Sequence, residues 1–295
     1  MNKRNWALVA AMLVSIIYGI TFTIAKDVMP KYVEPFGFIL LRVGGSVFLF
    51  WLVSFFGQKE KIALVDFSRI VAAAFFGVAF NMLTFFKGLS YTSPIMGAVL
   101  MVTTPMIVLI LSAIIMKERM KKRKIFGIVL GLAGTISLIL YGKSLINAPN
   151  EMLGNLLVFV NAVSYGFYLI IVKKLMDKYN AFTFVKWIYT FGFLMVIPFG
   201  WGEFNAVNWA IIPTDIYWKI GFVVVFSTFL TYLLNLVSMR ELKPTTVAVF
   251  IYLQPLFATV FAISLGKDDL SWIKIGSAIL IFTGVYLVTK KKSTQ

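Results

Sequence analysis

Ten apolar runs, each close to the length that crosses a bilayer, follow one another along this chain with short charged or turn-rich breaks between them. They fall at 6–25, 35–56, 67–86, 94–116, 125–141, 152–172, 182–198, 217–238, 244–265 and 271–289. A membrane helix needs about 20 consecutive apolar residues. Ten of them leave no room for a sizeable soluble domain in 295 residues. Composition agrees, since 60% of the residues are hydrophobic and 14% charged, against roughly 45–50% and about 25% in soluble domains. So much apolar surface in water would aggregate. A soluble enzyme, a disordered chain and a coiled coil are therefore excluded, and the fold class is all-α membrane with ten transmembrane helices. Trp6, Trp201, Trp209, Trp218 and Trp272 stand near run ends, where amphipathic rings belong. The fifth run is short, and Lys143 beyond it can snorkel to the interface. The first run is too long for the apolar core of a secretory signal and lacks a small-residue cleavage site, so it is expected as a retained helix.

The chain has neither histidine nor cysteine. Disulfides, thiolate nucleophiles, histidine acid–base chemistry and His/Cys ligation of zinc or haem drop out together. No metal site and no cofactor are expected. The net charge of +16 has a membrane explanation, because basic residues collect in cytoplasmic loops. With both termini inside, the segments 3–4, 59–69, 117–124, 173–186, 240–243 and 290–292 hold 20 of the 28 basic residues. The outer side holds seven: Lys26, Lys31, Lys87, Lys143, Lys219, Lys267 and Lys274. Arg42 is left, inside the second span. The Lys121–Lys124 run reads as an anchor on inner-leaflet lipids, and no nucleic-acid partner is needed. The expected location is a bacterial-type inner membrane.

The runs repeat. Pro94 matches Pro244, Pro105 matches Pro255 and Gly134 matches Gly284, all 150 residues apart, while Tyr18-Gly19 matches Tyr165-Gly166 at 147. The difference places a three-residue insertion in the loop after the seventh span. Halves 1–146 and 147–295 of five spans each follow, forming one integral membrane domain. An odd number of spans forces the second half to enter from the opposite side, giving inverted-topology repeats as in secondary transporters.

Taken in order, Tyr18-Gly19-Ile20-Thr21-Phe22 with Lys26, Leu41-Arg42, Thr104-Pro105, Lys117-Glu118, Tyr165-Gly166, Gln254-Pro255 and Asp268 resemble the drug/metabolite transporter superfamily, specifically the ten-helix EamA-type transporters. The resemblance covers the whole chain and implies alternating access through a central cavity, carrying small polar metabolites such as amino acids. Aspartate at 268 replaces the usual second-half glutamate, and an aromatic loop follows the seventh span.

Polar side chains within spans face the bundle interior or water, and helical spacing sorts them onto faces. Thr104 and Gln254 are repeat mates, each just before a proline. Pro105 and Pro255 each crowd a carbonyl one turn back, at Met101 and Ile251. Such breaks are solute-binding material, or equally kinks that water or Thr104 itself satisfies. Asn81 and Thr84 mark an inward stripe on the third helix, and Thr231 and Asn235 one on the eighth. Tyr18 and Thr21 mark the first helix, and Asn161, Tyr165 and Tyr168 the sixth. For single hydroxyls an interhelical hydrogen bond is the better reading. The amides of Asn81, Asn235 and Gln254 need several partners each and point to a cavity, with tyrosines to enclose an organic solute. Arg42 can snorkel outward or hold a substrate carboxylate. Lys26 and Lys87 lie near the outer mouth with Asp27 as a partner for them, and Glu118 with nearby arginines forms an inner cluster suited to gating. Gly127, Gly131 and Gly134 line one stripe of the fifth helix, which suits packing within the monomer and a homodimer seam equally.

The expected function is a secondary transporter, an exporter of small polar or amphipathic metabolites such as amino acids or nucleosides. An importer or exchanger of sugars shares the fold. An intramembrane enzyme would need a nucleophile or metal cluster at mid-membrane, and an ion channel a repeated selectivity ring. Orientation has a direct test. A cysteine placed at Asn208 should react with an impermeant reagent from outside the cell, and one at Lys121 should not. The opposite pattern contradicts the topology.

Overall fold

The structure, a computed structural model, describes residues 2–55, 60–91, 100–119, 121–140, 150–264 and 271–290. Among these residues the chain is entirely helical apart from its connections. We label the helices α1 (Lys3–Val28), α2 (Pro35–Ser54), α3 (64–91), α4 (Thr104–Ile115), α5 (Lys122–Leu140), α6 (Glu151–Met176), α7 (Ala181–Asn205), α8 (214–241), α9 (244–264) and α10 (Trp272–Thr289). Seven are long and apolar enough to cross a membrane, and α4 and α10 contain shorter apolar helices. The starts follow local chemistry. Asn2, Asn150 and Asn180 each accept a hydrogen bond from a backbone N–H of the first turn, which satisfies a donor the helix leaves open. Proline opens α2 and α9, where its missing N–H costs nothing. Pro94 and Asp268 lie outside the described residues.

Several helices run further than their apolar runs. Hydropathy marks only the hydrocarbon layer, whereas a helix goes on through the interface because its backbone still needs internal bonds there. The largest difference is α7, which passes Pro198 and ends at Asn205. Tertiary contacts hold that extra segment. Gly200 lies so close to α2 that a Cβ on it would fall 2.5 Å from Phe36 O. One turn later the Glu203 carboxylate accepts from Phe36 N at 2.6 Å and Gly37 N at 2.9 Å. The end of α7 thus caps the start of α2.

Packing obeys a two-fold relation between the halves. Two pairs are their own mates, α5 with α10 and α2 with α7. The contact of α3 with α6 is mirrored by α8 with α1, and that of α4 with α6 by α9 with α1. The self-paired helices run antiparallel. Gly127 meets Gly284 and Leu287 while Gly134 meets Ser277 and Leu280. Along α2 and α7, Gly44 meets Phe193 and Trp51 bonds Thr190 at 3.0 Å. Antiparallel mates are what inverted repeats require. Smaller details follow the same rule. Gly19 sits on Phe257 and Ala258 as Gly166 sits on Ile107 and Val108. Both α3 and α8 widen into a π-helical stretch, at Phe75–Ala79 and Val223–Leu230. Arg4 bonds Thr289 O and Arg123 bonds Lys290 O, so the first and last helices meet at one end, called here the terminal face. The other end is the far face.

The glycine stripe of α5 is used within the chain. A Cβ on Gly284 would lie 2.6 Å from Gly127 O and 2.7 Å from Gly131 N, both backbone atoms that cannot swing away. Gly284→Ala should therefore cost about 1–3 kcal/mol and lower the melting temperature of the purified protein. Gly276→Ala on the same helix, with nothing within 4 Å, should leave it unchanged. Equal melting of the two variants would contradict the seam.

Candidate solute pathway between the repeats

The described interior contains a cluster of tyrosines drawn from four helices. Tyr18 Oη on α1 is hydrogen-bonded to Thr231 Oγ1 on α8 at 3.3 Å. Tyr232, next along α8, donates to Gly77 O of α3 at 2.7 Å. Its ring meets Tyr189 of α7 edge-on at 5.0 Å and lies 6.0 Å from Tyr168 of α6, which in turn packs 5.9 Å from Tyr165. Gly77 has to be glycine here, because a Cβ would fall 2.1 Å from the Tyr168 ring. Arg42 of α2 joins the group. Its Nε donates to Thr228 Oγ1 at 3.1 Å, and Tyr18, Tyr189 and Tyr232 are its electrostatic neighbours. Of the two courses open to Arg42 in the sequence, the side chain takes the inward one.

Several predicted residues are occupied by the helices themselves. Thr21 donates to Ile17 O at 2.7 Å and Thr84 to Phe80 O at 2.6 Å. Thr104 is fully buried and donates to Met101 O at 2.5 Å. That is the carbonyl which Pro105 frees, so this break is closed by its own threonine. The Ile251 carbonyl has no such neighbour, because glutamine stands before Pro255. Thr231 also donates to Ser227 O at 2.7 Å. Asn81 is tied to Asn161 of α6 by a reciprocal pair: Asn81 Nδ2 donates to Asn161 O at 3.3 Å, and Asn161 Nδ2 to Asn81 O at 2.6 Å. This amide joins two helices.

A second set has nothing of the kind. Among the described residues Asn235, Gln254 and Tyr165 find no hydrogen-bond partner, and their polar atoms are not sealed from open space. Asn235 is nevertheless buried and lies one turn beyond Thr231. Gln254 stands on α9 where Gly19 packs on its backbone, beside Tyr18. Residue-by-residue reading did not single out Thr228, Tyr189 or Tyr232. The signal for two of them was present, since Thr228 and Tyr232 share a helical face with Asn235 at spacings of seven and three.

Charged clusters lie at both ends. At the terminal face Glu118 pairs with Lys124 at 2.6 Å and Lys243 at 3.4 Å, near Thr245. Its partners are lysines of α5 and of the α8–α9 connection, not the neighbouring arginines. At the far face Asp27 of α1 pairs with Lys219 of α8 at 2.8 Å. The side chain of Lys26 lies outside the described residues. A cavity of about 130 Å³ opens there, lined by Glu34, Pro35, Phe36, Phe86, Lys87 and Glu203.

Comparison with known proteins fits this arrangement. The sequence profile of the EamA-like transporter family matches twice, over residues 5–140 and 152–290. The chain belongs to the EamA-like transporter family. The transporter is 26% identical over 275 residues to the uncharacterized transporter YyaM of Bacillus subtilis, covering 92% of this chain and 89% of that one. It is 25% identical over 291 residues to an uncharacterized transporter of Archaeoglobus fulgidus, covering 98% and 100%. A crystal structure at 14% identity superposes with a TM-score of 0.79 over 95% of each chain, which supports the fold alone. The protein is an integral membrane transporter.

Thr104 offers a test of its assigned role. Thr104→Val keeps the shape and strips Met101 O of its partner, so the transporter should lose about 1–3 kcal/mol of stability. Thr104→Ser should restore it. A melting temperature unchanged in Thr104→Val would contradict the bond.

Proposed function

We propose that this chain is a secondary transporter that moves small polar or amphipathic metabolites out of the cell by alternating access. It would sit in a bacterial-type plasma membrane with both termini cytoplasmic. The observation that carries the reading is the set of polar groups left without protein partners, Asn235, Gln254 and Tyr165, beside the Tyr18–Thr231 bond. In a membrane interior unpaired polar groups are costly. They are tolerated where water or a solute meets them, and a solute can exchange that water for fixed donors and acceptors.

The two ends supply the means of alternation. Asp27–Lys219 joins α1 to α8 at the far face, and Glu118 joins the α4–α5 connection to the α8–α9 connection at the terminal face. The part-exposed Asp27–Lys219 pair is of a kind worth about 0–1 kcal/mol, whereas the Glu118 carboxylate is buried and its pairs open only as water or another partner takes their place. Such latches can break and re-form as the repeats rock. The orientation rests on the skew of basic residues toward the terminal face, which the positive-inside rule assigns to the cytoplasm. Outward flux is part of this proposal.

Counterflow in proteoliposomes tests the proposal. Vesicles loaded with amino acid or nucleoside pools should show saturable exchange. Asn235→Ala and Gln254→Ala should raise half-saturation roughly tenfold, about 1–3 kcal/mol per lost bond, with expression intact. Flux that rises linearly with concentration, or half-saturation unchanged in both variants, would contradict it.

A further inference from the structure

Arg42 is 8% exposed and lies seven residues into α2, about 10 Å along the helix from its start. A guanidinium carries five N–H donors and no acceptor. One is used, from Nε to Thr228 Oγ1 at 3.1 Å, and Thr228 donates onward to Val223 O at 2.8 Å. The four N–H groups on the two terminal nitrogens have no partner among the described residues, yet those nitrogens are not sealed off. The rings of Phe38 and Phe86 each lie 6.0 Å from Cζ. Phe86 also lines the far-face cavity.

A buried charge calls for a counter-charge, and among the described residues no carboxylate supplies one. Asp27 is held by Lys219, Asp66 by Arg69 and Lys178, Glu118 by Lys124, and Glu203 by the start of α2. The planar fork that remains matches a carboxylate bidentately. The rings around it would take an apolar or aromatic body. The carboxylates of Glu34 and Glu203 stand at the far-face cavity, and among the described residues neither forms an ion pair with Arg42.

We propose that Arg42 anchors the carboxylate of the transported solute, and that the substrate class is small organic acids with an apolar or aromatic body. This rests on the transporter reading and narrows it. Thr228 is a positioning residue, held at its place by the π-helical stretch of α8, and it aims the fork by fixing Nε.

Calorimetric titration of the full-length purified protein tests this with three probes that share a phenylethyl group: 3-phenylpropionate, its neutral amide, and 2-phenylethylamine. The wild type should bind the carboxylate at least about tenfold more tightly than the other two. Arg42→Gln should abolish that preference, Arg42→Lys should keep part of it, and Thr228→Val should weaken it. Equal binding of all three probes, binding of none, or a preference that survives in Arg42→Gln overturns the proposal. Should Arg42→Gln fail to fold, the comparison of probes on the wild type decides alone. Carboxylate preference without saturable flux would leave this site standing and overturn the transport reading. Saturable flux of an amine or sugar with no such preference would do the reverse.

Discussion

Hydrocarbon offers no hydrogen bonds, and the organisation of this chain follows from that constraint. Most polar groups inside the membrane are met by their own helix, by a neighbouring helix or by something that enters from water, although a few buried atoms, including the hydroxyls of Tyr168, Tyr189 and Tyr252, have no partner among the described residues. Most of the hydroxyls take the first route, as Thr21, Thr84 and Thr104 do. Ser238, which donates to Ala7 O at 2.9 Å, and the Asn81–Asn161 pair take the second and so fasten α8 to α1 and α3 to α6. These are mates under the two-fold relation. The same bonds that relieve the polar groups therefore hold the repeats in register. What remains for the third route is a short set: Asn235, Gln254, Tyr165 and the open side of Arg42.

Close helix approach makes this economy workable. Without a hydrophobic force between helices in lipid, association relies on van der Waals packing, and small residues permit it. Gly127, Gly134, Ser277 and Gly284 bring α5 and α10 to backbone contact. Gly19 does the same for α1 on α9, and Gly166 makes room on α6 for the side chains of Ile107, Val108 and Leu111 of α4. Around this frame large apolar side chains such as Phe48, Ile114 and Phe126 face outward, as lipid-facing positions do.

The fold was largely legible because its signals are local and repeated. Apolar runs of spanning length, proline and glycine pairs at one offset, and an odd span count suffice to specify ten helices in inverted halves. The course of α7 past Pro198 was not legible, since Gly200 against Phe36 and Glu203 on the start of α2 are contacts between segments distant in sequence. The site was harder for a related reason. Asn81, Asn235 and Gln254 look alike as buried amides in a sequence. What separates them is the presence of Asn161 opposite the first and of no such partner opposite the others. Likewise Arg42 carries no mark in the sequence that says which way it turns. Thr228 across the α2–α8 contact decides it.

The central claim is that two kinds of intramembrane polar position exist here, one spent on packing and one facing a watery path. The chain has no native cysteine, so single cysteines report without background. Asn235→Cys and Gln254→Cys should react with a small charged methanethiosulfonate reagent, and a bound solute should slow both. Thr104→Cys and Asn161→Cys should stay inert. Equal reactivity at all four positions, or inert cysteines at 235 and 254, would contradict the account.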